Sequence, residues 1–306
     1  MSIFTLTVNP ALDKSTTVPE LVPNDKLRCT PPTYNPGGGG INVARVIKRL
    51  GGGPTAIFQT SGIAGKMIEE FMEEEQISCI PYATKAWTRE NLMLWDEAAQ
   101  KQYRICMPGP TYLPEEVEGV YDLLKQLNPL PEFLVLSGSL APGMPENFFE
   151  KVCAWANKEG IKVVLDTSGA PLKKGVEAGV HLIKPNLKEL CGIVGKPAVS
   201  DKEQEQFALS LIDRKKAKLV VVSLGSEGAM MASEEGIEYL KSPDVQTKST
   251  VGAGDSMVGG MVWALACGFN NRDVLRYGVA CGSAAAMTEG TELCKKEDVM
   301  KLLGEI

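Results

Sequence analysis

The sequence predicts an α/β fold built on a parallel sheet covered on both faces, and three observations carry that prediction. From residue 114 onward, helical periodicity alternates with short strands. Phe133–Ser137, Lys162–Asp166 and Lys218–Gly225 are apolar through most of their length. Strands buried on both sides read that way, because neither face meets water. Finally, 31 glycines supply the tight loops that so many alternations need.

Taken in order, Ile3–Val8 is β-rich and stops at Asn9-Pro10. Leu12-Asp13 follows at the strand's carboxyl end, where ligands bind in open α/β sheets. From Lys14 to Asn35 short β-type pieces alternate with prolines around Lys26-Leu27-Arg28, which predicts a small excursion of strands. Pro36–Gly40 opens into a helix whose apolar positions are 43, 46, 47 and 50, ending at Gly51. Thr55–Gln59 reads as a strand and Gly65–Glu75 as an acidic amphipathic helix. Residues 87–95 and 102–107 read as two strands joined by a polar turn, a second excursion suited to pair with the first. Pro114–Leu127, Glu146–Lys158 and Pro171–Glu177 read as helices separated by the strands 133–137 and 162–166. His181–Lys184 is the next strand and leads into Pro185–Leu190. The strand at 218–225 turns at Gly225–Gly228 into another near Ala229–Ala232. After a helix over Gly252–Leu265, two small-residue helices, Arg272–Tyr277 and Val279–Met287, precede a loop at 288–293 and a short terminal helix.

Bulk properties exclude several functions. The net charge is −6 and the isoelectric point near 5.2, without a dense Lys/Arg cluster. A nucleic-acid or membrane-surface partner is not expected of such a chain. Eight scattered cysteines form no C-x-x-C pair. With no signal peptide and no membrane-length apolar run, they read as reduced thiols of a cytoplasmic enzyme. The single histidine, His181, leaves no basis for a His-based zinc site or a Ser-His-Asp triad. It is read as structural.

The chemistry concentrates in Ser249–Leu265, a polar glycine-rich turn that becomes a small-residue helix with Asp255 at the junction. First-turn amides lack internal partners and favour anions, and Gly252 and Gly254 place no side chain in the way. The same helix end is expected to keep Asp255 ionised, as a base accepting an alcohol proton must be. Phosphoryl transfer to a hydroxyl needs both the cradle and the base. In the early loop, Gly37–Gly40 would let a ligand touch backbone, and Asn42 offers a donor and an acceptor to sugar hydroxyls. The loop is no dinucleotide fingerprint, since Asn42 takes the place of its last glycine, and the P-loop spacing occurs nowhere. Asn186 and Glu189, three apart, share a helix face suited to a hydrated Mg²⁺, although Asn is equally a common helix cap.

These motifs, with Lys184-Pro185-Asn186 and Glu189 between them, resemble the ribokinase-like (phosphofructokinase B) family of sugar kinases along the whole chain and in the same order. The resemblance implies a doubly wound, mostly parallel sheet flanked by helices, in a single kinase domain over residues 1–306. A small β-sheet lid would form from about 14–35 and 86–107. It implies Asp255 as catalytic base and the amides of Gly252, Ala253 and Gly254 as anion hole. Asn186 and Glu189 would organise Mg²⁺ through water and Lys184, Ser223, Gly225 and Gly228 would line an ATP site. Asp13, Gly38, Gly39, Asn42 and Ser139 would hold the sugar.

Within the family, Lys26–Cys29, Pro36–Arg45, Trp87-Thr88-Arg89, Tyr103-Arg104 and Met107–Gly109 are most similar to the minor-type 6-phosphofructokinase branch. That implies fructose 6-phosphate as substrate, with Lys26, Arg28, Arg89 and Arg104 on lid strands as candidate phosphate readers. The branches acting on fructose 1-phosphate and tagatose 6-phosphate usually carry lysine where Gly39 stands. Also implied are a monovalent cation such as K⁺ near Val251 and the 285–292 loop, and a homodimer through the lid. A regulator that binds sugar phosphate without catalysis is the alternative of a different class.

Overall fold

Strands with no polar face need cover on both sides, and the computed structural model, which describes residues 2–196 and 200–306, provides it. In chain order the strands are β1 (Ile3–Thr7), β2 (Ala11–Val18), β3 (Thr33–Gly37), β4 (Pro54–Thr60), β5 (Ser78–Ala83), β6 (Arg89–Asp96) and β7 (Lys101–Cys106). They continue with β8 (Phe133–Ser137), β9 (Lys162–Asp166), β10 (Val180–Ile183), β11 (Ala217–Ser223), β12 (Ala229–Ser233) and β13 (Gly236–Leu240). The helices are α1 (Gly39–Arg49), α2 (Gly62–Glu74), α3 (Pro114–Lys125), α4 (Phe148–Lys158), α5 (Gly169–Glu177), α6 (Leu187–Val194), α7 (Asp201–Asp213), α8 (Ala253–Ala266), α9 (Asn271–Ala286) and α10 (Lys296–Leu303).

Nine strands form the main sheet in the order β13-β12-β11-β10-β9-β8-β1-β4-β5. All neighbours from β11 to β5 pair in parallel, and only β12, next to the β13 edge, runs against the rest. On one face α1, α8 and α9 bury Ile3, Val135, Val164, Leu182 and Val221. On the other α3 to α7 bury Leu6, Leu134, Leu136, Val163 and Val220. The chain leaves β1 toward one edge and β8 toward the other, so their shared carboxyl end is a topological switch point, where α/β sheets place ligands.

A second sheet, β3-β2-β6-β7, stands apart from the first. Its strands come from the two excursions, with β2 and β6 parallel and the outer pairs antiparallel. Residues 19–32 carry no strand, so Lys26 and Arg28 lie on an exposed irregular segment and not on strands.

Other departures have local causes. The two expected helices after residue 271 are one unbroken α9. Gly278, the apparent break, is a contact residue, since a Cβ there would come 2.6 Å from Met261 Cγ of α8. The strands β5 and β13 and the helix α7 go beyond the expected elements. β5 carries Pro81 in its middle, which an edge strand tolerates. α7 has few apolar positions and starts at a Ser200–Glu203 capping box.

Candidate active site

Two helix N-termini meet above the switch point. α8 approaches α1 closely because Gly259 lies where a Cβ would be 2.6 Å from Val46 Cγ1. This brings Asn42, in the first turn of α1, to Asp255, in the first turn of α8. The Asn42 Nδ2 donates to Asp255 Oδ2 at 2.8 Å. The pKa of Asp255 is raised to about 7, first by burial and then by the neighbouring Asp166. Asn42 and Lys184 oppose the shift. The expectation of a carboxylate kept ionised by the helix end is thus corrected, because lost hydration outweighs the dipole. A base with a pKa near neutrality is nonetheless well matched to its task.

Gly252 caps α8 with φ 76°, a left-handed conformation suited to glycine. Among the described residues the N–H groups of Gly252 and Gly254 have no hydrogen-bond partner, whereas that of Ala253 donates to Thr250 O at 3.4 Å. Lys184, 7% exposed at the end of β10, has its Nζ 3.3 Å from Asp166 Oδ1. The same Nζ lies 3.4 Å from the position of a Cβ on Gly254, so a fixed cation borders the two free amides. Burial alone would lower the Lys184 pKa, but Asp166, Glu189 and Asp255 outweigh it and raise it. Asp166 also accepts from Ser137 Oγ at 3.2 Å. It did not stand out in the sequence, although it ends a parallel strand where functional groups collect.

Asn186 and Glu189 form a reciprocal capping box on α6. Asn186 N–H donates to Glu189 Oε2 and Glu189 N–H to Asn186 Oδ1, both at 2.9 Å. The cap and the metal reading therefore share the same side chains. Burial raises the Glu189 pKa, with Asp166 adding to the shift. The described residues contain no cluster of three acidic, His or Cys side chains placed to hold a metal ion. Asn186 also pairs with Ser223, whose N–H donates to Pro185 O at 3.0 Å. Gly225 (φ 64°) is exposed, and Gly228 (φ 109°) is buried against Leu240 O, where a Cβ would not fit.

The early glycines prove to be demanded mainly by packing. A Cβ on Gly37 would collide with Asp13 Oδ2, on Gly39 with Ser137 Oγ, and on Gly40 with Thr7 Oγ1. Gly38 alone of the four has positive φ, at 119°. The run lies pressed over the ends of β1 and β8, with Asp13, Asn42 and Asp255 around it.

By strand register, Asp13, Arg89, Asn91 and Arg104 share one face of the small sheet. Asp13 Oδ1 accepts from Asn91 Nδ2 at 2.8 Å. Three of the five Arg89 N–H groups are already engaged, by the carbonyls of Asn9 (3.0 Å), Pro10 (3.3 Å) and Met107 (3.0 Å). Arg104, Lys26 and Arg28 are exposed, and Ser139, also exposed, accepts from Asn9 Nδ2 at 3.1 Å. Beside Val251, Ser249 Oγ donates to Gly290 O at 2.8 Å, lacing this turn to the 285–292 loop, which Thr288 Oγ1 closes internally by donating to Glu292 O at 2.6 Å.

Known proteins resemble this chain along nearly its whole length. The model of the pfkB family of carbohydrate kinases matches residues 9–298. The chain is 40% identical to ATP-dependent 6-phosphofructokinase isozyme 2 of Escherichia coli K12, covering 98% of this chain and 97% of that one. It is 32% identical to 1-phosphofructokinase of Bacillus subtilis 168, over 99% and 98% of the two chains. A crystal structure of E. coli phosphofructokinase-2 in complex with potassium superposes with a TM-score of 0.94 at 39% identity, covering 99% and 98%.

Proposed function

The chain belongs to the pfkB family of carbohydrate kinases, and from that premise we propose that it converts ATP and fructose 6-phosphate to ADP and fructose 1,6-bisphosphate. The observation that carries the proposal is Asp255, with a pKa near 7, hydrogen-bonded to Asn42 at the mouth of α8. In this reading Asp255 takes the proton of the sugar's 1-hydroxyl. The hydroxyl oxygen bonds to the terminal phosphorus of ATP as the bond to the bridging oxygen breaks. The amides of Gly252, Ala253 and Gly254, with Lys184, meet the charge on the transferring group.

Ser223, Gly225 and Gly228 line the nucleotide. Asp13, Gly38, Gly39, Asn42 and Ser139 hold sugar hydroxyls across the glycine run. Arg89, with two N–H groups left, and Arg104 are the phosphate readers on the sheet face shared with Asp13. Lys26 and Arg28 approach from the irregular segment. Asn186 and Glu189 would hold Mg²⁺ through water, and the ion would supply neutralisation of phosphate charge. A monovalent cation fits the 251 and 285–292 region, where Thr291 Oγ1 is buried without a partner among the described residues. The E. coli relative's structure in complex with potassium supports that choice.

We read the whole chain as one kinase domain whose small sheet is a lid. The face turned away from Asp13 carries Tyr103 and Ile105, 38% and 43% exposed, an apolar surface suited to pairing two lids in a homodimer. An ADP-release assay over fructose 6-phosphate, fructose 1-phosphate, tagatose 6-phosphate and fructose tests the substrate. Fructose 6-phosphate should give the highest kcat/KM, and a preference for either other phosphosugar would reassign the branch. ATP-dependent turnover of none of them would leave the regulator reading.

A further inference from the structure

In β6, Asn91 lies in register with Asp13 of β2 and is buried among the small sheet's central strands. Its amide is used at both ends. Oδ1 accepts the N–H of Met107 at 3.2 Å, and Nδ2 donates to Asp13 Oδ1 at 2.8 Å. The Met107 N–H can only donate, so it fixes which end of the amide faces β7 and leaves the donor for Asp13. The carbonyl of the same Met107 is held by Arg89, two residues earlier on the same face. One residue at the exit of the sheet is therefore clasped by both backbone groups. The clasp extends through Arg89 to Asn9 and Pro10, and through Asn91 to Asp13.

We infer that Asn91 is a positioning residue for Asp13: it holds one carboxylate oxygen so that the other, beside Gly37, is presented to the sugar. The inference rests on the reading of Asp13 as a sugar ligand. It adds a specific requirement, that Asp13 be ionised and in one rotamer, and it makes both depend on the seating of residue 107 against β6. Asp13 is nearly buried and its pKa is raised by that burial, with Asn91 the foremost opposing influence. The charged groups facing it are Arg89 on β6, Arg104 on β7 and Arg45 on α1, all of which favour ionisation. Asp255 on α8 is the like charge across the site. Without the Asn91 donor, Asp13 holds its proton to higher pH.

Asn91→Asp separates this role from a merely structural one. It keeps the side chain's shape and an acceptor for the Met107 N–H, but removes the donor and sets one carboxylate against another. Steady-state kinetics at neutral pH should show KM for fructose 6-phosphate raised about 10- to 150-fold, the worth of a hydrogen bond to a charged group. KM for ATP should be unchanged. The loss should shrink as pH falls and the two carboxyls share a proton. Asn91→Ala should make KM for fructose 6-phosphate rise more steeply than in wild type as pH falls and Asp13 takes up its proton, while the limb of kcat set by Asp255 stays in place. Should the alanine variant fail to fold, the pH response of Asn91→Asp carries the test alone. Equal effects on both substrates' KM, no effect on either, or a KM for fructose 6-phosphate that follows pH as in wild type would overturn the positioning role while wild-type turnover still upheld the kinase reading. A wild type inactive on fructose 6-phosphate would instead remove the reading beneath it.

Discussion

Asp255 carries two opposed demands, and its stability cost is measurable. Its pKa is about 7 in the native state against an ordinary 3.8. Below pH 4 native and unfolded states both hold the proton. Between about 4 and 7 the native state holds more protons than the unfolded chain, so this group's contribution to stability falls as pH rises. Above 7 the cost is complete. Asp255→Asn should therefore be more stable than wild type at pH 8, on the order of a few kcal/mol, and similar to it at pH 4. Urea unfolding at the two pH values checks this, and equal differences at both would mean that the carboxyl is not so perturbed. The residue was legible in the glycine-rich motif; its environment was not. Burial and the charge on Asp166 come from strands distant in sequence. Arg89 shows the same limit, because its charge was visible but its three carbonyl partners at 9, 10 and 107 were not.

Among the elements, α8 carries Asp255, and small residues decide how near it comes to α1 and α9. Gly259 admits α1, and Gly260 admits α9, since a Cβ on Gly260 would lie 2.6 Å from both Cys281 Sγ and Tyr277 O. A backbone carbonyl of a packed helix cannot step aside. Gly260→Ala should destabilise by about 1–3 kcal/mol, the usual cost of overpacking, with a matching fall in the urea midpoint. An unchanged midpoint would show that the helices can part. The parallel strands and most helices could be read from alternation and apolar runs, because those patterns are local. The unbroken α9 could not, because Gly278 looks like a break until Met261 is seen against it. β5 and β13 lie at sheet edges, where mixed polarity blurs the strand signal.

For the whole molecule, the small sheet's outward face predicts self-association. Light scattering should give twice 32.9 kDa, and a fully active monomer at assay concentration would contradict the lid-to-lid dimer. Both excursions contribute strands, although residues 19–32 carry none, and their pairing into one sheet is what the family resemblance implies. That β2 and β6 pair in parallel, which sets Asn91 opposite Asp13, is a property of topology and left no trace in either segment. In the proposed reaction the two halves of the chain act at one point, with sugar held from Asp13 and Asn42 and its proton taken by Asp255. The most direct measurement is kcat and kcat/KM for fructose 6-phosphate as a function of pH, in wild type and Asp255→Asn. Wild type should rise through a limb near pH 7 and then level off. The variant should lose about 10²–10⁴-fold in kcat with little change in substrate binding, the range expected on removing a general base. Near-full turnover by Asp255→Asn would contradict the assignment of the base and, with it, the site.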